Sequence, residues 1–124
     1  MIEGAGIDLI EVERIAFNIE KDSSFRELIF SGNEITYCES KGNKYEHYAA
    51  RFAAKEAFFK ALGAGWAEGT NFNEIEITNA KEGKPQVILH GITLQTVNSL
   101  GVTRILVSLS HLKSVACAVV IIEK

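Results

Sequence analysis

What this chain of 124 residues lacks removes several classes of protein from consideration. No apolar run approaches the ~20 residues of a membrane span, and Met1-Ile2-Glu3-Gly4 has none of the basic-then-apolar layout of a signal peptide, so a cytosolic protein is expected. The two cysteines, Cys38 and Cys117, are far apart and belong to no CxxC or Cys/His cluster, which argues against zinc and predicts buried or half-buried free thiols. A net charge of −3 argues against generic nucleic-acid binding. There is a single proline, no internal repeat, no linker and no low-complexity segment. No G-x-x-x-x-G-K-[ST] loop exists, and Gly63-Ala64-Gly65 follows a helical pattern where a dinucleotide fingerprint would precede one. Ser108 and Ser110 flank His111 without a nucleophile elbow, so serine catalysis is poorly supported, and His111 alone is as readily a turn or core histidine. The length fits one domain over residues 1–124, near the size where oligomerisation often adds buried surface.

What is present centres on Arg51 to Gly63, an alanine-rich run of strong helix formers closed by a glycine and read as the last half of one long helix beginning at Tyr45. At 3.6 residues per turn, Phe52, Glu56, Phe59 and Gly63 fall within an arc of roughly 60°, with Lys60 one step further round. A carboxylate on an aromatic face must reach solvent in a cleft or meet a cation. Two readings stand: an ordinary i,i+4 surface pair of Glu56 with Lys60, or a functional carboxylate beside the glycine-rich exit Gly63-Ala64-Gly65-Trp66, which permits close backbone approach to a ligand.

Upstream, Ile2 to Ile10 alternates as a strand, with Asp8 on the same side as Gly4 and Gly6. Asp8 either caps the helix expected over Glu11 to Ile19 or stands where the glycines leave space for a ligand or metal. Ser24 and Ser31 are expected helix starts, and Ser31-Gly32-Asn33-Glu34 has the capping-box pattern. Arg14, Lys21 and Arg26 alternate with Glu11, Glu13, Glu20 and Asp22, the usual look of a solvated helix face. Downstream, Glu74 to Thr78 and Pro85 to His90 predict a hairpin across Glu82-Gly83, followed by a helix from Ile92 to Leu100 ended by Gly101. Arg104 to Leu109 is a strand, Ser110 to Lys113 a turn, and Val115 to Ile122 a nearly continuous apolar strand expected at the centre of its sheet. The fold class is therefore α+β, an antiparallel sheet packed against a long helix.

The pair Asp8 and Glu56, with Lys60 near the second, is the site left after this elimination. Few hard oxygen ligands suit Mg²⁺, which keeps waters and completes its shell with substrate phosphates. Phosphate chemistry is the natural expectation. A non-catalytic α+β binding module, or another small Mg²⁺-dependent phosphate enzyme, would use the same residues differently.

The chain resembles the 4′-phosphopantetheinyl transferases of the holo-acyl-carrier-protein synthase type. The resemblance rests on Gly6-Ile7-Asp8-Leu9, the Arg51-Phe52-Ala53-Ala54-Lys55-Glu56-Ala57 run continuing to Lys60 and Leu62-Gly63, Asn79 through Gly83-Lys84-Pro85, and Val107-Ser108-Leu109-Ser110-His111. These pieces span the chain in the family's order and spacing. The resemblance implies that Asp8 and Glu56 hold Mg²⁺ against the pyrophosphate of coenzyme A, that Lys60 faces a phosphate, and that Glu56, directly or through a water on the metal, takes the proton of the acceptor serine. It implies transfer of 4′-phosphopantetheine to a serine of apo acyl carrier protein, with Arg51, Lys84, Pro85 and His111 near the coenzyme. It also implies a cytoplasmic homotrimer with sites between subunits. In such relatives early arginines face the acidic carrier protein. Here only Arg14, Lys21 and Arg26 are available among four acids, so steering is expected to be weaker and more salt-sensitive.

Overall fold

The computed structural model describes residues 1–63 and 69–124. Strand β1 (Ile2–Glu11) leads into helices α1 (Val12–Lys21), α2 (Phe25–Ile29), α3 (Gly32–Glu39) and the long α4 (Lys44–Leu62). A 3₁₀ turn at Phe72–Glu74 opens the hairpin β2 (Ile75–Asn79) and β3 (Pro85–Leu89); α5 (Gly91–Ser99) and the hairpin β4 (Arg104–His111) and β5 (Val115–Glu123) complete the chain. The expected α+β class holds. The strands form two antiparallel sheets, one of order β1-β5-β4 and one made of β2 and β3.

The apolar strand β5 is central, as its composition predicts, but its two faces differ. Ala116, Ala118, Val120 and Ile122 are buried against α4, whereas Val115, Cys117, Val119 and Ile121 are only half-buried. Alanine makes the approach of α4 possible: Ala49, Ala50, Ala53, Ala54 and Ala57 are fully buried. The opposing strand contributes even less bulk. A Cβ built on Gly4 would fall on the Ala61 carbonyl oxygen, and one on Gly6 would fall on that of Ala57. The glycines of β1 are therefore filled by helix backbone. The alternative expectation, that they leave space for a ligand beside Asp8, is corrected by this packing.

Ser31 caps α3 with the full box: its hydroxyl accepts from the Glu34 amide at 3.2 Å and its own amide donates to Glu34 Oε1 at 2.9 Å. Asp8 does not cap α1; Glu11 is the residue before that helix and makes no side-chain cap. His111 belongs to β4, paired with Ala116, so the turn expected from Ser110 begins two residues later. Cys38 is a buried free thiol, pushed up to about 12 chiefly by burial, and Cys117 is a half-buried one.

The Ser31 hydroxyl also donates to Glu76 Oε2 at 2.5 Å, while Glu76 Oε1 faces His90 Nε2 at 3.1 Å. Burial alone would raise the Glu76 carboxyl, but Ser31 and His90 outweigh it and hold it below the ordinary 4.5. A depressed carboxyl stabilises the fold above its unfolded value, and that contribution disappears as pH falls through the folded value. Thermal melts of wild type and Glu76→Gln are expected to differ at neutral pH, with wild type the more stable, and to converge as pH falls below 4.5.

Candidate active site

Asp8 and Glu56 come from the two elements that the glycine and alanine surfaces bring into contact. Lys60 lies between β1 and α4: its Nζ donates to Asp8 Oδ1 at 3.0 Å and to the Ile7 carbonyl at 3.0 Å. The lysine thus ion-pairs across to the strand, and the simple Glu56–Lys60 surface pair is not the contact it makes. Glu56 is half-buried, with the rings of Phe52 and Phe59 one turn to either side along the helix. Its carboxyl is raised above the usual range, first by burial and then by the negative charge of Asp8, with Lys60 and Arg14 acting in the opposite sense.

Two carboxylates near enough to repel are a donor set that a hard divalent cation fits. Among the described residues no group of three or more His, Cys, Asp or Glu side chains could hold a metal. An ion here would have two protein ligands and take the rest of its shell from water and substrate, the habit of Mg²⁺.

A second group gathers near the other end of α4. His111 Nδ1 lies 2.9 Å from Glu46 Oε1, and its ring meets His47 edge-on at 5.0 Å. The Arg51 guanidinium lies 4.2 Å from the centre of the Tyr37 ring, and Lys41 Nζ is 4.8 Å from the same ring. Arg51 is buried, yet its Nε has no hydrogen-bond partner. Tyr37 also accepts from Asn79 Nδ2 at 3.3 Å, and Asn79 pairs with Pro85. Exposed Lys84 and half-buried Pro85 line, with Arg104 and Val107, a cavity of about 270 Å³. This concentration of cations suits an anion. Burial first, and then its neighbours His111, Arg51 and Lys41, hold the His47 imidazole below its usual value.

The structure thus brings Asp8, Glu56 and Lys60 together, and places Arg51, His111, Lys84 and Pro85 elsewhere. Glu56 lies ten residues along α4 from Glu46, the partner of His111, or about 15 Å at 1.5 Å per residue. Tyr37, Glu46 and His47 were not singled out from the sequence; no periodicity marks a helix start folded beneath a distant strand end. Of the basic residues, Arg14 and Lys21 are exposed on α1, Lys21 lying 5.6 Å from the centre of the Phe17 ring. Arg26 is engaged by Glu27 at 2.8 Å and Glu39 at 3.4 Å. Gly63 ends α4 with a left-handed φ of 84°, and the rest of the glycine-rich exit, Ala64 to Trp66, lies outside the described residues.

The family model of the 4′-phosphopantetheinyl transferase superfamily matches residues 4–120. The chain belongs to that superfamily. The Solibacter usitatus holo-(acyl-carrier-protein) synthase is 45% identical over 124 residues, 99% of each chain. The Cytophaga hutchinsonii holo-(acyl-carrier-protein) synthase is 49% identical, over 100% of this chain and 99% of that protein. Among solved structures, the Neisseria meningitidis holo-(acyl-carrier-protein) synthase matches with a TM-score of 0.91 at 31% identity, covering 100% of both chains. The Bacillus anthracis enzyme, in complex with CoA (3′,5′-ADP), matches with a TM-score of 0.80 at 37% identity, covering 98% of this chain and 96% of that one. For a phosphopantetheinyl transferase, the carboxylates at the β1–α4 seam and the cationic group near the start of α4 are the features that need a chemical account.

Proposed function

We propose that this transferase moves 4′-phosphopantetheine from coenzyme A to a serine of apo acyl carrier protein, giving holo carrier and adenosine 3′,5′-bisphosphate. The observation that carries this reading is the meeting of Asp8, Glu56 and Lys60 at the β1–α4 seam in a chain of this superfamily. In the reaction a bond forms between the serine oxygen and the β-phosphorus, and the bond from that phosphorus to the bridging oxygen of the pyrophosphate breaks. Glu56 accepts the serine proton; burial and the charge of Asp8 raise its carboxyl, which makes it a better base than an ordinary glutamate. Lys60 offsets negative charge on the phosphate oxygens, held in place by Asp8 and the Ile7 carbonyl. Asp8 and Glu56 would hold Mg²⁺, whose bound form supplies Lewis acidity and a template for the pyrophosphate. Arg51, His111, Lys84 and Pro85, with His47 beside them, bind other parts of the coenzyme, and the unpartnered Arg51 Nε is a donor ready for an anion.

Because Glu46, the partner of His111, stands about 15 Å along the helix from Glu56, a site assembled between copies of the chain accounts for both groups. The homotrimer is accordingly part of this reading. It is supported by the sheet face turned away from α4, where Ile7 and Leu9 are 67% and 69% exposed beside half-buried Val119 and Cys117. A cytoplasmic setting is part of the same reading; among the described residues no helix is long and apolar enough to cross a membrane.

Intact-mass measurement of apo acyl carrier protein after incubation with this protein, coenzyme A and Mg²⁺ tests the proposal. A carrier mass increased by one phosphopantetheine is expected, and an unchanged mass with folded enzyme overturns it. For docking, exposed Arg14 and Lys21 on α1 are expected to meet the acidic carrier, whereas Arg26 is engaged with its own acids. Lys21→Glu should raise KM for the carrier about tenfold at low salt and less at high salt. Arg26→Gln should change it less, a comparison made by initial rates at two ionic strengths.

A further inference from the structure

Lys55 is the residue before Glu56 and points the opposite way, into the interior, where it is 0% exposed. Its ammonium donates to Glu34 Oε1 at 2.8 Å, to the Phe72 carbonyl at 2.8 Å and to the Ile75 carbonyl. All three donors of the lysine are thereby used. Glu34 is equally committed: its Oε1 also accepts from the Ser31 amide, and its Oε2 accepts from the Ile77 amide at 2.9 Å. A single buried ion pair therefore fixes α3, α4, the 3₁₀ turn and the start of β2 to one another. The turn it holds carries Phe72, whose ring lies parallel to Phe52 at 6.0 Å and edge-on to Phe59 at 5.1 Å. Those two phenylalanines flank Glu56 on the helix surface.

We propose that Lys55 is a positioning residue for Glu56: by clamping the Phe72–Ile75 backbone it holds a three-ring wall that fixes where the Glu56 carboxylate points. The inference rests on the reading of Asp8 and Glu56 as the Mg²⁺-holding pair. A buried ion pair is weak as a source of stability, because desolvation offsets most of its attraction, so this position is better explained by the geometry the pair imposes. Support of this kind is worth 10- to 100-fold in metal affinity where it has been removed from other sites.

The test is calorimetric titration of Mg²⁺ into the complex of the protein with coenzyme A, for wild type, Asp8→Ala, Phe72→Ala and the double variant Lys55→Met with Glu34→Gln. The double variant avoids leaving Glu34 as a lone buried charge, and Phe72→Ala keeps the ion pair intact, so failure of one to fold leaves the other to decide. Wild type is expected to bind Mg²⁺ and Asp8→Ala to lose that binding. Phe72→Ala and the folded double variant should bind about tenfold more weakly, with kcat lowered by about the same factor and KM for the carrier unchanged. Variants that melt earlier but bind Mg²⁺ like wild type would show that Lys55 is merely structural, and would overturn the proposal alone. A wild type without Mg²⁺ affinity would overturn it together with the reading of the carboxylate pair.

Discussion

Glu56→Gln should lower the rate of carrier modification at least about a thousandfold while the protein stays folded, the largest loss expected from any single substitution here. The amide has almost the volume and shape of the carboxylate, so the contacts beside Phe52 and Phe59 survive. What it lacks is the capacity to accept the serine proton and the charge that binds a divalent ion. The stability comparison has a definite sign. Burial and Asp8 hold the Glu56 carboxyl above its usual value, so the folded protein binds this proton more tightly than the unfolded chain does. Stability is then lost as pH rises from the ordinary glutamate value to the raised one, and stays lost above it. In Mg²⁺-free buffer at neutral pH, Glu56→Gln should therefore melt no lower than wild type. Mass spectrometry of the carrier over time and circular-dichroism melts check both statements; an active variant would remove Glu56 from its role, and an unfolded one would show the carboxylate to be structural.

The parts of this fold that the sequence made legible are those whose signal is local. The period-2 alternation of β1, the capping box at Ser31, the glycine-bounded α5 and the apolar β5 each appear within one residue or so of expectation. Even the Asp8–Glu56 pair could be found, because acids on a glycine-lined strand and on an aromatic helix face are locally unusual. Three features were not legible because their causes lie far off in the chain. Gly4 and Gly6 suggested a vacant space when read alone; only the position of Ala57 and Ala61, more than fifty residues on, shows that helix backbone fills it. Lys60 sits one turn from Glu56 and so looked like its partner, but the sheet brings Asp8 closer to its ammonium. Lys55 carries no local sign of its role, since nothing near it in sequence announces the buried Glu34. For Gly4, Gly6 and Lys60 a local pattern named the residue, and in all three features tertiary contact decided what it does.

Gly6→Ala is the substitution that tests whether this close packing builds the site. The added Cβ would fall on the Ala57 carbonyl oxygen and 2.7 Å from the Ala61 amide nitrogen, both backbone atoms of α4 that no rotamer change can move aside. Strand and helix must separate. Overpacking of this kind costs about 1–3 kcal/mol, or roughly 4 to 12 °C in Tm for a chain of this size. Gly6 lies two residues from Asp8 on the same face of β1, so the displacement moves Asp8 relative to Glu56 and Lys60. A shift of about 1 Å at reacting groups can cost a hundredfold in rate, so activity should fall further than stability implies, even at temperatures where the variant is fully folded. Gly42→Ala is the control, because a Cβ there meets nothing within 4 Å; it should leave both melting and rate close to wild type. Were Gly6→Ala to melt like Gly42→Ala and turn over at the wild-type rate, the seam between β1 and α4 would have slack, and the positions of Asp8, Glu56 and Lys60 could not be credited to it.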